Sequence, residues 1–117
     1  MGNPVVQFQI LSKSPEETAQ FYSNLFGWTV NADNPFGYRE ISTGAQEGIN
    51  GGIWPAPPQA TNFVQLFIAV DNVRMLSEKA EKAGAKVTIP PTTLPDAGEI
   101  AVLHDPQGMS FGILRRK

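Results

Sequence analysis

The chain has 117 residues, enough for one domain with a hydrophobic core and too few for two independent ones. Its net charge of −2 argues against nucleic acid as a partner, and the absence of cysteine excludes disulfides and thiolate chemistry. No apolar run approaches the roughly 20 residues that a membrane span requires. We therefore expect a cytoplasmic protein with no membrane partner and no nucleic-acid partner.

Two similar strand-like segments lie about half a chain apart. Residues 6–10 read Val-Gln-Phe-Gln-Ile, and residues 64–68 read Val-Gln-Leu-Phe-Ile. The glutamines Gln7 and Gln65 are 65 − 7 = 58 residues apart. Each segment precedes a helical pattern that stops at a glycine, so the sequence indicates an internal duplication.

The first strand is predicted from Pro4 to about Leu11. Its apolar residues Val6, Phe8 and Ile10 alternate with Gln7 and Gln9. Because successive side chains of a strand point to opposite faces, the apolar set is expected to pack on the helices. The two glutamines are then expected to face the other side of the sheet.

The first helix is predicted after this strand, with Ser14 as N-cap, Pro15 at the first helical position and Glu17 completing a capping box. Gly27 is predicted to end it, because glycine readily takes the left-handed conformation. The apolar spacing predicts a buried stripe made of Ala19, Phe21, Tyr22, Leu25 and Phe26.

Three strands are predicted to complete the first unit. The first two are separated by a turn at 31–37, which contains Asp33, Asn34 and Pro35, and the third runs from about Ile49 to Trp54. The proline-rich segment that follows, at 55–61, is predicted to be a linker.

The second unit repeats this plan. A strand at 63–70 and a helix from about Val73 to Ala83, capped by Asp71 or Asn72, are followed by a stop at Gly84. The remaining predicted elements are a strand near 85–89, a loop built on Pro90, Pro91 and Pro95, and strands at 99–104 and 109–114. Residues 105–108, Asp-Pro-Gln-Gly, carry the preferences of a type I turn and predict a tight hairpin.

These elements predict an α+β fold in which two βαβββ repeat units form a curved mixed sheet. The prediction is a single domain over 1–117, with unit one at about 4–54, the linker at 55–61 and unit two at about 62–115.

Three segments together resemble the vicinal oxygen chelate superfamily, which includes glyoxalase I, extradiol dioxygenases and bleomycin resistance proteins. They are the strand and helix ending Phe-Tyr-Ser-Asn-Leu-Phe-Gly-Trp at 21–28, the segment Phe-Ile-Ala-Val-Asp-Asn-Val at 67–73, and His-Asp-Pro-Gln-Gly at 104–108. The resemblance covers nearly the whole chain and implies the fold and a homodimer. It specifies packing and turns rather than a reaction.

In metal-dependent members, the resemblance implies a divalent ion held by the first and last strands of each unit. Carried over to this sequence, those positions are Gln7, Gln65, Trp54 and Gly112. Neutral amides are weak ligands, and the other two residues offer none. We therefore predict no metal and no cofactor, so that the chain would be a member lacking the usual metal ligands.

Strand alternation predicts a ligand-binding surface without a metal. Gln7, Gln9 and Gln65 would line it with amides, Trp54 and Phe67 would supply aromatic walls, and Glu40, which alternates with Tyr38, could also face it. The alternative is that these glutamines merely hydrogen-bond to one another inside a filled sheet. The single histidine, His104, stands before the Asp-Pro turn and has no visible catalytic partner.

Two functions remain open at the level of sequence. The first is binding of a small, weakly polar organic molecule in the concave cleft, as in drug-sequestering proteins. The alternative is a lyase or isomerase acting on a small carbonyl compound, with a catalytic residue that the sequence does not identify.

Overall fold

The computed structural model describes residues 2–34, 37–94 and 98–116. Within these ranges the chain folds in the predicted order, strand, helix and three strands, twice over. The elements are β1 (Val5–Ser12), α1 (Pro15–Phe26), β2 (Thr29–Asn31), β3 (Arg39–Ser42), β4 (Asn50–Pro55), β5 (Phe63–Ala69), α2 (Val73–Lys82), β6 (Lys86–Leu94), β7 (Gly98–His104) and β8 (Ser110–Arg115). The α+β class and the two βαβββ repeats are thereby confirmed.

The chain forms two compact units. The first consists of residues 7–65, and the second combines the chain up to Val6 with the chain from Leu66 onward. We describe each unit separately.

The sheet of the first unit has the strand order β2-β3-β4-β1. β1 runs parallel to β4, whereas β4 and β3, and β3 and β2, are antiparallel pairs. The parallel pair requires a crossover connection, and α1 lies within that connection.

The start of α1 follows the prediction in position but not in its hydrogen bonds. Ser14 is the N-cap and Pro15 is the first helical residue, yet the Ser14 side chain makes no capping bond. Instead the backbone N–H of Ser14 donates to Ser12 Oγ at 2.9 Å, and Ser12 Oγ lies 2.6 Å from Thr18 Oγ1. Gly27 ends the helix with φ = 74°, as predicted.

The predicted buried stripe of α1 is wrong for most of its members. Ala19 is buried, but Phe21, Leu25 and Phe26 are 58%, 59% and 57% exposed. The core of the first unit uses Ala19 with Ile41 and Ile53, and partly buried apolar side chains complete it. α1 therefore reaches this core through Ala19, and its flanking apolar side chains stay outside the core.

The second unit repeats the topology with the strand order β5-β8-β7-β6. β5 runs parallel to β8, and β8 and β7, and β7 and β6, are antiparallel pairs. The helix α2 begins after Asn72, whose Oδ1 accepts a hydrogen bond from the Met75 N–H at 2.9 Å. Of the two predicted caps, Asn72 is therefore the one in use.

β6 is longer than predicted and contains Pro90 and Pro91, which the sequence placed in a loop. Its pairing with β7 shifts register on either side of Ile89. β6 is the last strand in the order of this unit, and an edge strand with bulges tolerates prolines that a central strand would not. Pro95 lies outside the described residues, as does Pro35 of the earlier turn.

Two apolar clusters fill the second unit. One lies under α2 and includes Val73, Leu103 and Ile113. The other contains Phe67, Val102 and Leu114, with Val6 packed against it.

The position of Val6 corrects the prediction that it packs beside Phe8 and Ile10. The backbone O of Pro4 accepts a hydrogen bond from the Ala69 N–H at 2.9 Å, so the start of β1 belongs to the second unit. Alternation along a strand predicts a common face only while the whole strand packs on one core.

The hairpin between β7 and β8 is confirmed. The Gly108 N–H donates to the Asp105 backbone O at 2.8 Å, and Asp105 Oδ1 accepts from the N–H groups of Gln107 and Met109. His104 ends β7 opposite Ser110. Among the described residues, no helix is long and apolar enough to cross a membrane.

Candidate functional site

The candidate site lies on the face of the first unit's sheet that points away from α1. Phe8 in β1 and Ile53 in β4 pack in the core with Ala19 of α1. Side chains next to them in sequence, such as Gln9 and Trp54, project from the opposite face. We call this surface the Tyr38–Trp54 face; it comprises Gln9, Tyr38, Glu40, Gly52 and Trp54.

Strand register brings three of these positions into one row. Gly52 in β4 pairs with Gln9 on one side and with Glu40 on the other. A side chain on Gly52 would overlap the ring of Tyr38, so the missing side chain leaves the space that this ring occupies. Glycine at position 52 therefore makes room for the hydroxyl end of the Tyr38 ring.

Tyr38 and Trp54 form an aromatic pair over this row. Their ring centroids are 4.7 Å apart, with an interplanar angle of 29°. Both residues are half-buried, so part of their ring surface remains open to a ligand. Stacked aromatic rings offer a rigid apolar surface to a planar molecule.

Buried amides lie beside the aromatic pair. Gln9 and Gln65 are only 7% and 5% exposed, and Gln65 Nε2 donates a hydrogen bond to Gln9 Oε1 at 3.4 Å. Gln9 also hydrogen-bonds to the Tyr38 side chain. The two glutamines thus interact with each other, as the alternative interpretation of the sequence expected, and they also connect to Tyr38.

The environment keeps the Tyr38 hydroxyl protonated. Burial raises the pKa of Tyr38 to about 12, the negative charge of Glu40 adds to the increase, and the hydrogen bond with Gln9 partly opposes it. A phenol with this pKa is neutral at physiological pH, and it can donate a hydrogen bond but cannot act as a phenolate base. Glu40 itself is exposed in β3.

The six predicted site residues differ in position and burial. Gln9, Gln65, Glu40 and Trp54 lie at or beside the Tyr38–Trp54 face, and Gln7 is half-buried in β1 opposite Asn50. Phe67 does not form an exposed wall. It is 2% exposed and packs with Val102 and Leu114 in the second unit.

Phe67 is buried because of a glycine in the neighbouring strand. Phe67 pairs with Gly112 across β5 and β8, and a side chain on Gly112 would overlap the Phe67 ring. In the first unit the equivalent glycine, Gly52, pairs with Gln9, and the space above it is taken by Tyr38. Each unit thus has an aromatic ring over the equivalent glycine, but the two rings come from different positions of the repeat, and only Tyr38 remains partly exposed.

Tyr38 was not among the predicted site residues. Its alternation with Glu40 was visible in the sequence, but the value of Gly52 as the space beneath its ring depends on strand register. A glycine at the matching position of both last strands is the signal that could have identified it.

The residues at the implied metal positions do not fit a metal. Trp54 stacks on Tyr38, the space beside Gly112 is taken by the Phe67 ring, and the Gln65 amide donates to Gln9. Divalent ions prefer imidazole nitrogens and carboxylate oxygens, which none of these positions supplies. Among the residues that the structure describes, no three His, Asp or Glu side chains are grouped to hold an ion.

Strand register also corrects how those positions were carried over. β1 and β4 pair Leu11 with Trp54, and β5 and β8 pair Ala69 with Leu114. Since Ala69 lies 69 − 11 = 58 residues after Leu11, the repeat equivalent of Trp54 is Leu114, not Gly112.

A separate groove of about 370 Å³ lies on the α1 side of the first unit. Its walls include Phe21 and Tyr22 of α1 and Phe63 and Val64 of β5. The Ser12 and Thr18 hydroxyls that also line it hydrogen-bond to each other, and Glu17 adds a carboxylate to the lining. It contains none of the predicted site residues, and the Tyr38–Trp54 face is the candidate site because the buried amides and the neutral hydroxyl are there.

Comparison with known proteins now identifies the family. The family model for the glyoxalase-like domain matches residues 7–114, which is nearly the whole chain. The chain belongs to the glyoxalase-like family. It is thereby a member of the vicinal oxygen chelate superfamily, as its motifs predicted.

Two named proteins are similar in sequence to this glyoxalase-like chain over most of its length. It is 31% identical over 110 residues to the provisionally named glyoxylase CFP32 of Mycobacterium bovis, a match that covers 92% of this chain and 42% of that protein. It is 25% identical over 125 residues to the anthracycline biosynthesis protein DnrV of Streptomyces peucetius, covering 93% of this chain and 46% of that protein. The glyoxalase-like chain therefore spans less than half the length of these relatives.

Solved structures show the same fold at low identity. The Bacillus halodurans protein BH1468 matches with a TM-score of 0.70 at 13% identity, covering 100% of this chain and 96% of that chain. The methylmalonyl-CoA epimerase of Mycobacterium tuberculosis matches with a TM-score of 0.62 at 13% identity, covering 97% and 87%. These likenesses support the glyoxalase-like fold alone.

Proposed function

We propose that this glyoxalase-like chain binds a small, weakly polar organic molecule at the Tyr38–Trp54 face, without a catalytic metal. The observation that carries the proposal is the stacked, half-buried pair of Tyr38 and Trp54 over Gly52. Such a pair offers apolar ring surface to a planar ligand, and the Tyr38 hydroxyl adds a polar group that can orient it.

The chemistry of the surrounding groups favours binding over metal-assisted catalysis. Tyr38 is neutral, and Gln9 and Gln65 are amides that cannot carry a charge. Glu40 is the one carboxylate that belongs to the face. A surface of this composition suits an uncharged ligand better than a polycation such as bleomycin.

A second function, a lyase or isomerase acting on a small carbonyl compound, is favoured by one observation. Burial is the main cause of the raised pKa of the Tyr38 hydroxyl, and the nearby negative charge of Glu40 adds to it. A carboxylate near a neutral hydroxyl can remove a proton next to a carbonyl while the hydroxyl donates a hydrogen bond to its oxygen. If this function holds, the protein should speed exchange of such protons for deuterium in D₂O, and Glu40→Gln should abolish that exchange.

The binding proposal can be tested by locating where a ligand acts. A thermal-shift screen of small aromatic and carbonyl compounds identifies binders, because a ligand of the native state raises the melting temperature. The two tryptophans then report position, since Trp54 belongs to the Tyr38–Trp54 face and Trp28 stacks on Tyr22, a residue of the α1 groove. We expect the indole N–H signal of Trp54 to shift on titration while that of Trp28 does not. A shift of Trp28 alone would move the site to the α1 groove and refute the proposal.

The loss of binding should be separable from the loss of stability. Trp54→Ala is expected to abolish binding and to cost less than the roughly 3–5 kcal/mol typical of truncating a buried aromatic residue. Phe67→Ala is the control. Phe67 is 2% exposed, so this substitution should cause the full loss of stability expected for a buried aromatic residue. Equal destabilisation by the two changes would mean that Trp54 is a core residue.

We also propose that the chain pairs with a second copy of itself. The apolar surface of α1 formed by Phe21, Leu25 and Phe26 supports this, because exposed apolar patches commonly mark interfaces. The curated relatives contain more than twice the matched length, so a second copy would supply a comparable amount of chain.

A further inference from the structure

The buried amides fix which hydrogen-bonding groups the site presents. A glutamine side chain accepts through its oxygen and donates through its nitrogen, and these two atoms point in different directions. Gln65 Nε2 donates to Gln9 Oε1, so the oxygen of Gln9 is turned toward Gln65. The nitrogen of Gln9 is then the atom left for its hydrogen bond with Tyr38, and the bond runs from Gln9 Nε2 to the phenol oxygen.

This direction determines the role of the Tyr38 hydroxyl. Because the phenol oxygen accepts from Gln9, the hydroxyl hydrogen is not used in that bond and can be donated elsewhere. Tyr38 is held in place by its stacking on Trp54 and by its position over Gly52, and it is only half-buried. A ligand that reaches this hydroxyl beside Trp54 would therefore meet a fixed hydrogen-bond donor.

Glu40 narrows the range of acceptors that could receive this hydrogen. Glu40 pairs with Gly52 in the strand register, and its negative charge acts on the phenol of Tyr38. A negatively charged ligand oxygen at the hydroxyl would be repelled by it. A neutral carbonyl oxygen carries no such penalty.

We propose that the Tyr38–Trp54 face selects planar, uncharged carbonyl compounds, with the Tyr38 hydroxyl donating to the carbonyl oxygen and Gln65 positioning that hydroxyl through Gln9. This inference rests on the proposed binding function and names the ligand class for the same site. It assigns Tyr38 and Glu40 to specificity and gives Gln65 a positioning role.

Three probes of similar size isolate the acceptor. Acetophenone carries the carbonyl, α-methylstyrene replaces its oxygen with a methylene group, and benzoate replaces the methyl ketone with a carboxylate. Affinities are measured from the shift of the Trp54 indole N–H signal. We expect acetophenone to bind about five- to tenfold more tightly than α-methylstyrene, the effect of roughly one net hydrogen bond, and benzoate to bind most weakly.

Two surface variants test the assigned roles. Tyr38→Phe keeps the aromatic ring and removes the hydroxyl, so the preference for acetophenone over α-methylstyrene should disappear. Glu40→Gln removes the charge and should improve benzoate binding relative to α-methylstyrene binding; an unchanged ratio of the two affinities would contradict the role of Glu40. An unchanged preference in Tyr38→Phe would overturn the inference.

The positioning role of Gln65 needs a measurement that does not depend on binding. Gln65→Met removes the donor to Gln9, which frees the Gln9 amide to rotate and accept from the Tyr38 hydroxyl. Such a bond stabilises the neutral phenol, so the pKa of Tyr38, followed by the carbon-13 signal of its Cζ, should rise further. Gln9→Leu removes the donor to the phenol oxygen and should also raise that pKa. An unchanged titration of Tyr38 in both variants would overturn the assigned direction of the hydrogen bonds.

The outcomes distinguish this inference from the function on which it rests. If all three probes shift Trp54 with equal affinity, the site binds organic molecules but does not select carbonyls, and only the inference fails. If none of them shifts Trp54 at millimolar concentration, both the inference and the proposed binding site are wrong.

Discussion

Two buried serines, one in each unit, differ in their hydrogen bonding. Ser12 accepts from the Ser14 N–H and pairs with Thr18, whereas Ser77 Oγ is buried with no hydrogen-bond partner among the described residues. A buried hydroxyl without a partner costs on the order of 1–3 kcal/mol. Ser77 lies in the middle of α2, where alanine is also the better helix former.

Ser77→Ala should therefore stabilise the protein by about 0.5–1.5 kcal/mol, as measured by urea unfolding. Ser12→Ala is the matched control and should destabilise by a similar amount, because it removes the partner of Thr18 and of the Ser14 backbone. Destabilisation by Ser77→Ala would show that the hydroxyl is satisfied in solution, for example by a buried water.

Tyr38 should make stability depend on pH in the alkaline range. Burial, which disfavours the phenolate, is the main reason that the pKa of Tyr38 is raised from its ordinary value of 10.0 to about 12 in the folded protein. Above pH 10 the unfolded chain loses this proton while the folded chain keeps it, so the free energy of unfolding should fall as pH rises from 10 toward 12. The contribution is complete below pH 10.

Denaturant unfolding of the wild type and of Tyr38→Phe across this range measures the effect. The decline in stability that belongs to Tyr38 should be missing in the variant, and the wild-type absorbance of ionised tyrosine at about 295 nm should show one late-titrating group. Parallel stability curves for the two proteins would contradict the assignment.

At the scale of elements, β4 and β8 are the last strands of their units and contain the equivalent glycines Gly52 and Gly112. Substituting these glycines should have different effects. A methyl group on Gly112 would meet the fully buried Phe67 ring, whereas one on Gly52 would meet the Tyr38 ring, which can move outward. Gly112→Ala should therefore cost more stability, about 1–3 kcal/mol as for other overpacked cores.

Gly52→Ala should show the opposite balance. We expect a smaller loss of stability and a clear loss of acetophenone binding, because Tyr38 can no longer lie over β4 against Trp54. Melting temperatures and the Trp54 titration provide the two measurements. If Gly52→Ala binds acetophenone normally, the ring position above Gly52 does not matter for the site.

Local signals predicted the elements well and their surroundings less well. Pro15, Gly27 and Asn72 each act on the backbone within a few residues of their own position, so their effect can be predicted from sequence. The exposure of Phe21 and Phe26 is not, because it depends on how much of α1 the sheet covers. The predicted β6 was too short because it ended before Pro90. Prolines are excluded from central strands but tolerated in edge strands, and the position of a strand in the sheet is not visible in the sequence.

The site illustrates the same limit. Gln9, Gln65 and Trp54 were predicted from alternation, and they lie at or beside the Tyr38–Trp54 face. Phe67 obeys the same alternation but is buried, and Tyr38 lies outside any regular strand. The burial of Phe67 and the position of Tyr38 both depend on glycines in neighbouring strands, Gly112 and Gly52. The alternation of residues along one strand gives no information about which residues of another strand lie beside it.

At the scale of the whole molecule, the proposed homodimer makes a prediction about α1. Three large apolar side chains there, at positions 21, 25 and 26, are more than half exposed, a costly arrangement in water unless another surface covers them. A specific interface buries about 800 Å² on each partner, so this patch would be the centre of a larger contact.

Sedimentation at micromolar concentration should give the mass of a dimer, and Phe26→Glu should shift the protein toward monomer by placing a charge in the apolar contact. Met75→Glu is the matched control, because Met75 is an equally exposed apolar residue on α2 and should leave the mass unchanged. If Met75→Glu dissociates the protein and Phe26→Glu does not, the dimer exists but pairs through α2. A wild type that sediments only as monomer would remove the dimer altogether, and the exposed rings of α1 would then need another partner.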